Sequence, residues 1–221
     1  MKKRTFAHFI PLITLATLLL FLSGCQTTYY NTMEKFGYHK RDLLAGRVKK
    51  ARDTQEETKE QFKTALDRFR SVLDFDGGKL EDKYEALNTE FETSEDNADL
   101  VKSRIEDVED VAEALFREWE VELKQYTSDS LRRASNKKLK RTRQQYGQLI
   151  GAMKRAERKI APVLSAFRDQ VLFLKHNLNA QAIASLKSEL TNVESDVALL
   201  IRDMEKSIKE ADAFIAQMKK Q

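Results

Sequence analysis

The segment Phe62-Lys-Thr-Ala65-Leu-Asp-Arg-Phe69-Arg-Ser-Val72-Leu-Asp74-Phe-Asp-Gly77-Gly78-Lys-Leu80-Glu-Asp-Lys-Tyr84-Glu-Ala-Leu87-Asn-Thr-Glu-Phe91 decides how the chain folds. On both sides of Asp74–Gly78 apolar residues recur at alternating steps of three and four, the period of a coiled-coil seam. Adjacent glycines stop a helix, so a seam that halts there and resumes beyond reads as an antiparallel hairpin. In such a hairpin, facing residues have numbers with a constant sum. Val72 with Leu80, Ala65 with Leu87, Thr58 with Ser94 and Leu44 with Val108 all give 152. The alternate layers, Phe62 with Phe91 and Val48 with Ile105, give 153. Thr58 and Ser94 thus fall in one polar layer, which weakens a seam but fixes its register.

Working outward, the first seam runs Leu44, Val48, Ala51, Gln55, Thr58, Phe62, Ala65, Phe69, Val72. The second continues through Ala98, Val101, Ile105, Val108, Ala112 and Leu115 to Trp119. A second hairpin follows. Its seams are Leu139, Thr142, Tyr146, Leu149, Met153, Ala156, Ile160, Val163, Phe167, Val171, Leu174 and Ile183, Leu186, Leu190, Val193, Val197, Leu200, Met204, Ile208, Ala211, Ile215, Met218. Phe167 to Val171 is an extra four-residue step in the first, and facing residues of the two seams sum to 360 or 361 about a turn near Asn177–Ala180. Thr127-Ser128-Asp129-Ser130 supplies N-caps for the third helix. Pro162 lies inside that helix and predicts a kink, because it removes a helix hydrogen bond.

Turns near 76, 128 and 180 divide the chain evenly and fold it up-down-up-down. Apolar residues beside the seams (Val111, Phe116, Leu164, Phe173, Leu199, Phe214) widen the stripes. The fold class expected is therefore all-α: an elongated up-down four-helix bundle, or else two antiparallel coiled-coil hairpins that dimerise with another chain. The bundle should occupy 39–221, as hairpins 39–127 and 129–221. Composition agrees. With 7 Gly, 2 Pro and 33% charged residues, the chain lacks the turn chemistry of a β-sandwich or barrel.

The single cysteine excludes an intramolecular disulfide framework and points instead to the N-terminus. Met1-Lys-Lys-Arg4 is a basic head, Phe9 to Leu22 is uncharged, and Leu22-Ser-Gly-Cys25 follows. This is the anatomy of a secretory signal, too short to span a bilayer, which needs about 20 apolar residues. Leu-Ser-Gly-Cys resembles the lipobox of bacterial lipoproteins. That resemblance implies a signal peptide over 1–24, cleavage between Gly24 and Cys25, and acylation of Cys25, with 25–38 as a lipidated tether. Gln26, where retained lipoproteins often carry Asp, implies the periplasmic face of the outer membrane rather than the inner membrane.

The formal charge of +4 also changes, because three of those charges leave with the signal. The rest is segregated: residues 81–122 hold 16 acids and 4 bases, whereas 131–160 hold 11 bases and 1 acid. The basic cluster Arg132, Arg133, Lys137, Lys138, Lys140, Arg141 and Arg143 is a candidate contact for an anionic surface; neutralisation by the neighbouring acidic helix is its competing reading. A secreted protein meets no DNA, so no nucleic-acid partner is expected. The segments nearest the anchored end (25–52, 102–154, 202–221) sum to +9 and the remainder to −8, which predicts that the basic half faces anionic headgroups.

Chemistry is hard to find. His39 and His176 fall near opposite ends and neither has a partner at metal-ligand spacing; no phosphate loop, H-E-x-x-H or G-x-S-x-G occurs. Pairs such as Glu56/Glu60 and Glu106/Asp110 lie at i,i+4 without an apolar cleft, as on a solvated face. No catalysis, metal or cofactor is expected. Tyr29, Tyr30, Phe36, Tyr38 and His39 form the least heptad-like stretch and are candidates for docking a partner. Residues 29–42 with Ala51–Phe62 resemble an uncharacterised, domain-of-unknown-function family of Gram-negative lipoproteins. Some of its members are labelled DNA repair ATPases, although no head domain or phosphate loop is present in this sequence. The resemblance implies a helical, membrane-associated protein.

The expected function is a lipid-anchored, periplasm-facing structural or adaptor lipoprotein of the bacterial envelope. Its membrane contact would be the lipid anchor, with an envelope protein or a further copy of the chain as partner. Two alternatives stand beside it. One is a module binding anionic lipid or peptidoglycan; the other is an intracellular, chromosome-associated coiled coil if the signal is unused.

Overall fold

The computed structural model describes residues 40–74, 77 and 79–220. They form four helices: α1 (Lys40–Leu73), α2 (Leu80–Leu123), α3 (Asp129–His176) and α4 (Ala180–Lys219). Gly77 takes φ +142°, a conformation side chains resist, and so allows the tight α1–α2 turn. The Ser128 side chain accepts from the Leu131 amide, and the Asn179 side chain accepts from the Ala182 amide at 3.0 Å. The start of α2 has no side-chain cap; Glu81 and Asp82 in its first turn complement the helix dipole instead.

Helix α1 packs on α2, α2 on α3, α3 on α4, and α4 back on α1. The last contact closes the ring. The chain is an antiparallel four-helix bundle with one continuous core, not two hairpins awaiting a partner. All nine α1 seam positions are buried, the polar Gln55 and Thr58 included. The core even crosses the diagonal: Phe167 of α3 lies 6.5 Å from the rings of both Phe62 and Phe69 of α1, stacked on the first and edge-on to the second.

Three details depart from expectation. Thr58 and Ser94 are both buried, but each hydroxyl donates 2.7 Å back to its own helix, to the carbonyls of Thr54 and Glu90. Polar registration comes instead from Ser207, whose hydroxyl donates to Gln55 Oε1 at 2.6 Å. The α4 seam therefore passes through Ser207 and leaves Ile208 only partly buried. Phe173 does not widen the α3 stripe; it is 38% exposed. Helix α3 continues through Pro162, as the register of its seam implies; the proline sits on the solvent face, where water can satisfy the carbonyl its missing N–H leaves free.

Candidate functional site

Gly24, Cys25, Tyr29, Tyr30, Phe36, Tyr38 and His39 lie outside the described residues, so the lipidation and docking candidates have no structural counterpart here. Their place of attachment does. Lys40, the first described residue, donates to Glu118 at 2.9 Å near the end of α2. The chain N-terminal to it thus joins the bundle at the α2–α3 turn, the end where the basic cluster begins.

That end is built on two aromatic clamps. The Trp119 indole donates to Ser135 Oγ at 2.8 Å and ties the last turns of α2 to the first of α3. Two turns further in, Phe116 lies between the Tyr146 ring, edge-on at 5.4 Å, and the Arg143 guanidinium at 5.1 Å. Arg143 also bonds Glu120 at 2.5 Å and holds that carboxyl below its usual range. Burial, helped by the carboxylates of Glu109, Asp110 and Glu113, pushes the Tyr146 phenol well above its ordinary range.

The seven cluster residues are not equivalent. Arg143 belongs to α2 through Glu120, and Arg132 pairs locally with Asp129. Lys138 is half-buried and has a partner of its own. Arg133, Lys137, Lys140 and Arg141 are exposed and make no ion pair among the described residues. Neutralisation by α2 is real: its ion pairs to α3 among the described residues include Arg143–Glu120, Lys154–Glu109 and Arg168–Glu95. All three bases lie on the flank of α3 that faces α2.

Sequence reasoning missed a group of apolar side chains at the same end. Leu131 is 58% exposed, Val121 53% and Tyr126 40%. Tyr126 and Leu131 share a shallow groove with Trp119 and Lys138. Phase signalled only part of it: Val121 falls opposite the seam of α2, whereas Leu131 lies two four-residue steps before Leu139, on the seam side of α3 but ahead of its first buried layer. Among the described residues no three His, Cys, Asp or Glu side chains converge on a metal-sized site, and no helix is long and apolar enough to cross a membrane. His176 ends α3 on the surface at the far turn.

A family described as "Protein of unknown function (DUF2959)" matches residues 29–218. The chain belongs to the DUF2959 family. The match takes in all four helices except the last residue of α4, together with the Tyr29–His39 stretch. No curated protein and no solved structure matches the chain.

Proposed function

We propose that this DUF2959 protein is a lipid-anchored lipoprotein of the bacterial envelope, held through Cys25 and facing the periplasm as a structural or adaptor element without catalysis. One observation carries the reading beyond the signal sequence. The end of the bundle that receives the N-terminal segment is also the end bearing unpaired Arg133, Lys137, Lys140 and Arg141 and exposed Val121, Tyr126 and Leu131. Exposed apolar tips among cations suit the interface of an anionic bilayer. An acylated Cys25 would lie 15 residues before Lys40, close enough to keep that end at the membrane.

Acylation adds roughly 0.8 kcal/mol per buried CH₂, and more than one chain is needed for stable anchoring. Cys25→Ser should therefore abolish palmitate labelling and release the protein from salt-washed membranes. A parent protein that takes up no palmitate, or a Cys25→Ser protein that stays on salt-washed membranes, would overturn the anchor. Site-specific photocrosslinking from residues 29–42 would then return the adaptor's partner, if the Tyr-rich stretch docks one.

A further inference from the structure

The basic cluster read as a run along the sequence is part of a longer feature of the surface. On α3, positions 133, 137, 140, 144, 147, 151, 155 and 158 follow the same steps of four and three as the seam but fall on the opposite side of the helix. They and their neighbours 141, 148 and 159 form one outward ridge. Its charged members are Arg133, Lys137, Lys140, Arg141, Arg155, Arg158 and Lys159; every one is exposed, and none makes an ion pair among the described residues. No acid stands on it. Glu157, the one acid between 131 and 160, points toward the seam side and is half-buried. From 133 to 159 the ridge is about 39 Å long at about 1.5 Å per residue.

The middle of the ridge is level. Gln144, Gly147, Gln148 and Gly151 separate the two basic groups. A side chain at Gly147 would meet open space, and at Gly151 only the Arg155 guanidinium 3.4 Å away. Neither glycine is therefore required by packing within the bundle, although each costs an exposed helix about 1 kcal/mol against alanine. Helix α4 adds a parallel stripe at positions 202, 206, 209, 213, 216 and 220: Arg202, Lys206, Lys209, Ala213, Ala216 and Lys220, all exposed. The stripes meet where Arg141 and Lys220 line one groove over Ala213 and Ala216.

We infer that this α3–α4 face is a seat for an anionic phospholipid bilayer, with the bundle lying along the membrane rather than standing on its tethered end. An acid-free ridge some 40 Å long fits an extended anionic plane better than a single ligand, whose charge would engage one or two of these residues. The ridge begins at Arg133, beside the end where the N-terminal segment enters, so a bundle tethered there could tilt onto it without leaving the surface. The acidic α2 borders the opposite flank of α3 and would be turned away. This deepens the lipoprotein reading, on which the direction of approach rests, while the affinity of the face for lipid is independent of it.

The test uses the chain from Gln26, which keeps the whole closed bundle but has no acyl group. It should co-sediment with vesicles containing phosphatidylglycerol and not with pure phosphatidylcholine, and rising salt should release it. Each basic residue at an anionic surface is worth about fivefold in partitioning, so Lys137→Gln, Lys140→Gln and Arg158→Gln together should lower binding roughly a hundredfold. A control triple off the face, Lys50→Gln, Lys102→Gln and Lys187→Gln, should change it less than threefold, with helix content unchanged in both. Equal losses in the two triples would overturn the seat, as would absence of binding or preferential binding to isolated peptidoglycan. In acylated protein on the same vesicles, a fluorophore at Gln148 should be quenched by headgroup-labelled lipid and one at Asn88 on α2 should not. An unquenched Gln148 probe on protein that remains anchored would refute the seat and leave the anchor intact; loss of anchorage with salt-sensitive binding retained would do the reverse.

Discussion

Phe167 is the side chain on which the closed bundle most directly depends. It is fully buried, and among the described residues its ring is the only one that meets aromatic rings of the diagonal helix, Phe62 and Phe69. Truncation to alanine removes the transfer free energy of a phenyl group and leaves a cavity that four long helices cannot easily collapse around. Such changes cost about 3–5 kcal/mol. For a protein of this size, a loss of about 1 kcal/mol lowers Tm by roughly 2–4 °C, so the Tm of Phe167→Ala should fall by about 6–20 °C. Urea and thermal unfolding followed by circular dichroism at 222 nm would read both quantities. Phe173, six residues along the same helix but exposed, gives the internal control: its alanine variant should stay within about 0.5 kcal/mol of the parent.

The sharper form of the experiment asks whether α1 and α3 belong to the same core. A double-mutant cycle with Phe62→Leu and Phe167→Leu should show a coupling of about 0.5–1.5 kcal/mol, the range for buried ring pairs. Two independent hairpins would place these residues in separate cores and give additive effects. Additivity within error, or a Phe167→Ala cost below about 1 kcal/mol, would refute the diagonal packing.

Two further outcomes concern polar groups in the core. Ser207→Ala should cost about 1–3 kcal/mol in urea unfolding, because it strands the Gln55 amide, whose nitrogen already lacks a partner; adding Gln55→Leu should recover most of that loss. Tyr146 sets an alkaline limit. Its folded phenol keeps its proton above the ordinary value of 10.0, so its stabilising effect is complete below that pH and is lost as pH rises beyond it. Unfolding curves from pH 9 to 12 should therefore slope less steeply for Tyr146→Phe, by up to about 1.4 kcal/mol per pH unit; identical slopes would sink the assignment.

The seams were legible because a 3.5-residue period is a property of the sequence alone, and few other structures use it. Where the reading slipped, the chemistry at one position was ambiguous. From Met204 to Ala211 the four-three step can pass through Ser207 or Ile208, and hydrophobicity favours the isoleucine. The bundle puts Ser207 inside because α1 presents Gln55 Oε1 there, an acceptor that no pattern within α4 could reveal. Phe173 shows the converse. An aromatic residue beside a seam widens it only while a neighbouring helix covers that flank, and near the α3–α4 turn this flank is open. The basic site was half legible. A run of neighbours along the chain mixes three directions around a helix, so Arg132, Lys138 and Arg143 were grouped with residues they do not accompany, and Arg155, Arg158 and Lys159 were left out.

The charge pattern also bears on why residues 25–221 are so nearly neutral. If the bases of α3 served only to offset α2, they would lie on the flank that Arg143, Lys154 and Arg168 occupy, at successive intervals of 11 and 14 residues along one stripe. Those three already reach the acids within range. Seven more lie on the outward ridge; Arg133 shares a shallow groove with Glu120 of α2, and the rest face away from α2 by about a helix diameter, roughly 10 Å. At physiological salt the Debye length is about 8 Å, so most of that attraction is screened and little stability is recovered. Exposed like charges repeated at i,i+4 on one helix instead oppose helix formation by a few tenths of a kcal/mol per pair. The ridge therefore contributes no stability to the bundle that carries it. Its uniform sign is what the proposed contact with an anionic surface would use.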